Sequence, residues 1–259
     1  MLSGVGPELL AFCGPWLERD PRLLLACQFA AAGGPRERFL ATAVLQRELA
    51  QAAIAVSDRR VAEAKLAWWI DEAGAWAVGH PRHPLAYGLD AKASAHALAR
   101  LAAFSADWLQ APSPDDFGSL WMLMQQGATA SLALTGGVAQ EAWTLAWLTV
   151  AMRLSLDASA PLASVVPLDL LARHGLRRSQ WPELEVSVRL RVLADLAAQV
   201  PKPKSIDSDP AAAALAVLDR RWLGRLPRPG ANRVSIVDVF AAWRAARRAS
   251  RASGFPHPR

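Results

Sequence analysis

Carboxylates are the first side chains to test for chemistry here, because acids paired on helix faces can hold a divalent cation. Acids three or four positions apart lie one above the other on a single helix face. The chain has 23 Asp and Glu residues, and no two of them are separated by three or four positions. Asp157 has only Arg153, Leu154, Ala160 and Pro161 at those distances. No single helix of this sequence therefore presents a paired-carboxylate metal site, although single acids from different helices remain free to converge. His80 and His83 flank a proline turn with no third ligand nearby, and read as turn histidines. No Gly-x-x-x-x-Gly-Lys, Gly-x-Gly-x-x-Gly or Gly-x-Ser-x-Gly motif occurs.

Cations and apolar faces offer binding chemistry instead. Arg47 and Arg153 suit a diphosphate or a lipid phosphate if they face one cavity, and suit ion pairs or the surface if they do not. Lys65 lies in the run Lys65-Leu66-Ala67-Trp68-Trp69 and joins them as a candidate ligand-binding cation. Trp143, Trp147, Val150, Leu154 and Ala158 share one helix face, at spacings of 4, 3, 4 and 4. That face is either the wall of an apolar ligand cavity or ordinary core, and the volume of tryptophan favours core.

The elements that must position these residues are helical almost throughout. Alanine and leucine dominate, β-branched runs are short, and no Asn-Gly or Asp-Gly hairpin signal is present. The pattern predicts helices over Pro7–Glu18, Arg22–Ala31, Pro35–Ala55, Arg59–Gly79, Lys92–Ala106, Asp115–Gly136, Gln140–Asp157, Leu168–His174, Pro182–Gln199, Ala211–Leu223 and Val234–Arg251. Gly33-Gly34-Pro35, the Gly79–Pro84 turn, Pro112-Ser113-Pro114, Gly136-Gly137, Pro201–Pro210 and Pro227–Gly230 punctuate them. None of these breaks is long enough for a flexible linker, so the expectation is one all-α domain spanning 1–259: an antiparallel helical bundle with a frayed tail at Gly254–Arg259.

Bulk properties bound the function. At 259 residues and 53% hydrophobic, with eleven Trp against one Tyr, the chain can bury a large core. Cys13 and Cys27 have no metal spacing and read as buried free thiols of a reducing cytoplasm. The first segment carries Glu8, Glu18 and Asp20 and no basic stretch, which reads as no secretory signal. No uninterrupted apolar run reaches the ~18 residues of a membrane span. The net charge is +6 and uneven: residues 170–259 hold 17 Lys+Arg and 7 Asp+Glu, leaving 29−17=12 basic and 23−7=16 acidic residues elsewhere. The basic bias suits an anionic partner, and an Ala/Arg/Trp-rich composition explains it equally. The run Phe240–Arg251 reads as an amphipathic basic helix, with Phe240 and Trp243 on one side to meet anionic lipid and arginines on the other. No helix-turn-helix signature supports nucleic-acid binding, which is the least favoured reading.

Two stretches carry a family resemblance. Trp143–Leu171 resembles the second aspartate segment of the squalene/phytoene synthase family, a helix with LRDxxxD that runs into a GRxYLPxDLL turn. Arg153 and Pro167-Leu168-Asp169-Leu170-Leu171 match it, while the two aspartate positions fall on Leu154 and Ala158. Gly34–Leu89 resembles the first conserved helix, followed by Lys65-Leu66-Ala67-Trp68-Trp69 and the His83-Pro84-Leu85 turn. The first aspartate cluster would stand about where Ala50–Ala55 lie, and that stretch is Ala-Gln-Ala-Ala-Ile-Ala. The likeness spans roughly residues 20–251. It is nearest to the phytoene-synthase-like branch lacking the aspartate motifs, similar to mitochondrial complex I assembly factors with this domain.

The resemblance implies an isoprenoid-synthase-like bundle that has lost its metal motifs. The expected function is binding of an isoprenoid, another lipid or a protein partner, with no catalytic residue, no metal ligand and no cofactor. Arg47, Lys65, Trp147, Val150, Arg153, Leu154 and Ala158 are the candidate ligand-binding set. The alternative is a working Mg²⁺-dependent head-to-head prenyl transferase of isoprenoid biosynthesis with a rebuilt metal site. The expected location is cytoplasmic, with peripheral contact at the inner membrane.

Overall fold

A computed structural model of the chain describes residues 2–137, 139–157, 165–202, 209–226 and 233–252. Ala158, the Pro227–Gly230 break, most of the Pro201–Pro210 loop and the Gly254–Arg259 tail lie outside these residues. The described residues form an all-α bundle: α1 Pro7–Arg19, α2 Pro21–Cys27, α3 Gly34–Ile54, α4 Arg59–Ala77, α5 Ala91–Gln110, α6 Phe117–Thr135, α7 Gln140–Asp157, α8 Leu168–Arg173, α9 Val186–Ala198, α10 Pro210–Leu223 and α11 Ile236–Ala252. Short 3₁₀ turns occupy Pro84–Gly88 and Arg178–Glu183. No described helix is long and apolar enough to cross a membrane.

Two helices form the axis. Fifteen of the 21 residues of α3 are buried, and in α7 every residue from Ala142 to Met152 is buried. A helix buried all round carries apolar or small residues on every face, and Ala, Leu, Val and Trp supply them here. α3 packs on α1, α2, α4, α5, α6 and α7, while α7 is also covered by α6, α9 and α10. Successive helices α4–α5, α5–α6, α6–α7 and α10–α11 lie side by side.

Many acids start helices. Asp58, Asp90, Asp116 and Asp209 each accept a backbone N–H of the first turn they precede, satisfying donors that have no partner within the helix. At α11, Ser235 and Asp238 form a reciprocal capping box: the Ser235 N–H donates to Asp238 Oδ2 at 2.7 Å, and the Asp238 N–H donates to Ser235 Oγ at 3.3 Å.

Three boundaries differ from the sequence expectation by more than two residues. The second helix ends at Cys27 rather than Ala31, because the Arg36 guanidinium reaches back to the carbonyls of Cys27 and Ala30 at 3.1 and 2.9 Å. The fifth runs four residues past Ala106, since Trp108 and Leu109 continue its buried stripe. The segment expected as Pro182–Gln199 is split: Trp181 is buried and donates from Nε1 to the Ser155 carbonyl at 3.2 Å, so the chain turns before α9 begins at Val186.

The arrangement of α11 also differs. Its buried stripe is Asp238, Ala242, Ala246 and Ala249, packed on α10. Ile236, Val237, Phe240 and Trp243 are exposed, and so are Arg244, Arg247, Arg248 and Arg251. At 100° per residue all eight fall on the outward side. Apolar and basic residues thus share one face, segregated along the helix rather than across it, because the small alanines claim the inner face.

Candidate functional site

The residues singled out from sequence separate into three environments. Trp147 is fully buried, with Phe104 and Trp108 ring centroids at 5.2 and 6.2 Å, and its Nε1 donates to Ser131 Oγ at 3.1 Å. α6 approaches this ring through Gly127, where a Cβ would stand 2.7 Å from Phe104 and 2.9 Å from Trp147. Val150 is buried in the core and Leu154 is half-buried against it. The face that would line a prenyl cavity is packed into the core as far as Leu154, and Ala158 lies outside the described residues.

Arg47 and Arg153 come together at a buried carboxylate. Asp20, between α1 and α2, meets Arg47 Nη2 at 2.7 Å, Arg153 Nη1 at 2.9 Å and Arg22 Nε at 3.2 Å. Arg47 also donates to the Ala43 carbonyl at 2.8 Å, and Arg153 to the Arg19 carbonyl at 3.3 Å. Arg22 extends the network to Asp219 of α10 at 3.0 Å and lies over the Trp222 ring at 5.1 Å. Burial alone would raise the Asp20 pKa, but the charges of Arg22, Arg47 and Arg153 hold it well below the usual carboxylate range. Burial pushes Asp219 up to about 6 against the pull of Arg22. Both candidate arginines are therefore engaged internally, tying α1–α2, α3, α7 and α10 together.

Lys65 stands apart, at a pocket of about 550 Å³ between α3 and α4. Glu48, Gln51 and Ala52 line it from the end of α3; Arg60, Val61, Ala64, Lys65, Trp68 and Trp69 line it from α4; His83 closes it. Glu48 is occupied, accepting from Trp16 Nε1 at 2.8 Å. The position of His83 is set by Glu72, whose carboxylate is fully buried and accepts from Trp76 Nε1, Arg82 N, Arg82 Nε and His83 N at 2.7–2.9 Å. One side chain thereby pins the Gly79–His83 turn to α4. Behind it, Gly88 lets the turn lie against α1 and α3: a Cβ there would meet Leu9 at 2.7 Å and Ala41 at 2.8 Å.

The pocket wall is aromatic. The His83 ring meets Trp69 at 4.6 Å, Trp68 at 5.8 Å and Phe12 edge-on at 4.6 Å. Burial pushes His83 down to about 4, against the weaker pull of the Glu72 charge, so the ring is neutral near pH 7. Its Nδ1 accepts from the Leu85 N–H at 3.2 Å, which leaves the ring proton on Nε2. Outside, the Arg82 guanidinium covers Trp68 at 5.5 Å, and Arg60 and Lys65 are exposed at the rim. Chemically this is a concave apolar wall with cations at its edge, suited to binding. Among the described residues no three His, Cys, Asp or Glu side chains gather as a metal-binding group.

Compared with known proteins, the chain matches no family profile and no curated protein.

Of the sequence candidates, the fold brings Arg47 and Arg153 together, places Trp147 and Val150 in the core, and leaves Lys65 at the pocket. Sequence reasoning missed Asp20, Arg22 and Asp219 as partners, and Glu72 as the clamp. A signal existed for two of them: Asp219 ends the run Ala211–Leu218, and Glu72 lies four residues from Trp76, where an acid inside an apolar helix needs a buried donor. His83 carried no such signal, because its ring environment is assembled by α1 and α4 together.

Proposed function

We propose that this chain is a squalene/phytoene synthase-like bundle that acts by binding rather than catalysis, and that its α3–α4 pocket takes an isoprenoid or other lipid bearing a phosphate or diphosphate. One observation carries the reading: Trp68, Trp69 and His83 form an apolar wall whose rim holds Arg60 and Lys65, beside Gln51 and Ala52. In the family that this sequence resembles, the first aspartate cluster would stand at that end of α3. An apolar wall shelters a prenyl or acyl chain, and exposed cations meet its anionic head. The neutral His83 Nε2–H adds a donor that needs no counter-charge.

Titration calorimetry with farnesyl diphosphate, farnesol and inorganic diphosphate, with and without Mg²⁺, tests this. Farnesyl diphosphate binds more tightly than either fragment, and Arg60→Gln/Lys65→Gln weakens it by about a hundredfold, on the order of two lost charge-assisted contacts. Absence of binding sinks the pocket reading. Mg²⁺-dependent release of diphosphate from farnesyl or geranylgeranyl diphosphate would establish prenyl transfer instead.

A further inference from the structure

The outward face of α11 has a chemistry that the pocket does not explain. Ile236, Val237, Phe240 and Trp243 are exposed by 68, 56, 55 and 45%, a contiguous apolar strip along the first two turns. Arg244, Arg247, Arg248 and Arg251 continue the same face, and the Arg247 guanidinium lies over the Trp243 ring at 5.1 Å. The one acid of the helix, Asp238, is turned inward: it accepts from Arg221 and from both terminal nitrogens of Arg225, at 2.6 and 2.8 Å for the latter. Those bonds hold its carboxylate well below the usual range although burial opposes them. The outer face is thus left without a negative charge. Among the described residues none of the four outer arginines forms an ion pair.

We infer that α11 is a membrane-docking element: its outer face lies in the interface of an anionic bilayer, with Phe240 and Trp243 entering the headgroup–acyl boundary and the four arginines on lipid phosphates. Charge complementarity selects an anionic surface, and the apolar strip selects a lipid one. A nucleic-acid backbone would leave Ile236, Val237, Phe240 and Trp243 in water, gaining nothing from their burial. An interfacial helix uses both terms, apolar burial and attraction to anionic headgroups, each basic residue adding to the second. The remaining structure supports the geometry, since the Ala242/Ala246/Ala249 stripe and the bond from Arg221 to Asp238 hold the inner face of α11 on α10.

Co-sedimentation of the full chain with phosphatidylglycerol-rich and with pure phosphatidylcholine vesicles provides the test. Binding is expected to the anionic vesicles only, and to weaken with salt. Phe240→Ser/Trp243→Ser and the Arg→Gln replacement of the four arginines should each lower partitioning, the latter by about a hundredfold or more. Brominated lipid should quench a fluorescence component of the wild type that Trp243→Phe lacks, a readout independent of the folding of the multiple variants. No binding to anionic vesicles overturns the proposal. So does binding that the arginine variant loses while Phe240→Ser/Trp243→Ser retains it, which would describe adhesion to any polyanion. Tighter binding to duplex DNA than to vesicles would replace it with a nucleic-acid surface.

Discussion

At the scale of single residues, the molecule spends its carboxylates on structure. Asp20 pairs with three arginines inside the bundle, and Glu72 satisfies three donors of one turn together with the Trp76 indole. Removing one partner of a buried ion network leaves uncompensated charge in a medium that solvates it poorly. Asp20→Asn keeps the size of the side chain and removes its charge, leaving Arg22, Arg47 and part of Arg153 facing one another. The expected cost is about 3–5 kcal/mol in the free energy of unfolding, measured by urea denaturation. A loss below about 1 kcal/mol would mean that water already screens the cluster, as at an exposed pair. That Arg47 and Arg153 are polar groups needing partners was legible in the sequence. The identity of the partner was not, since Asp20 lies 27 residues from Arg47 and far beyond any helical spacing.

At the scale of elements, boundaries follow from which side chains take the terminal carbonyls and amides. Most helices were legible because the 3.6-residue apolar period and the Pro, Gly and Asp punctuation agree. The exceptions are places where a distant side chain decides: Arg36 ending α2, and Trp181 delaying α9. The Glu72 clamp belongs to this scale because it holds a whole turn against α4. Glu72→Gln removes the charge that Arg82 and the two backbone amides meet, at an expected cost of about 1–3 kcal/mol. The displaced turn should also shift the His83 ring resonances and weaken the pocket for farnesyl diphosphate. An NMR spectrum unchanged at His83, with stability intact, would show that the turn is held by Gly88 and Leu85 packing alone.

At the scale of the whole molecule, two titrating groups oppose each other. His83 is pushed down from an ordinary 6.5 to about 4, so the unfolded chain binds the extra proton and stability falls as pH drops from about 6.5 to about 4. Asp219 is raised from an ordinary 3.8 to about 6, so the folded chain binds the proton and stability rises as pH drops from about 6 to about 4. The wild type should therefore show a shallow slope in that window. Asp219→Asn should unmask a decline on acidification, and His83→Phe a gain, read from urea midpoints at pH 7 and pH 4.5. Parallel slopes in both variants would contradict the linkage. The sequence by itself determined the all-α class, nearly every helix, the missing acid pairs and the basic C-terminal region, because periodicity, capping chemistry and composition are local properties. Only the tertiary structure decided that Arg47 and Arg153 meet at Asp20, that Trp147 fills the core rather than lining a cavity, that Lys65 edges an aromatic pocket, and that α11 turns its apolar and basic residues to one side. Each of those depends on which helix face is buried against which neighbour, and packing between distant segments sets that.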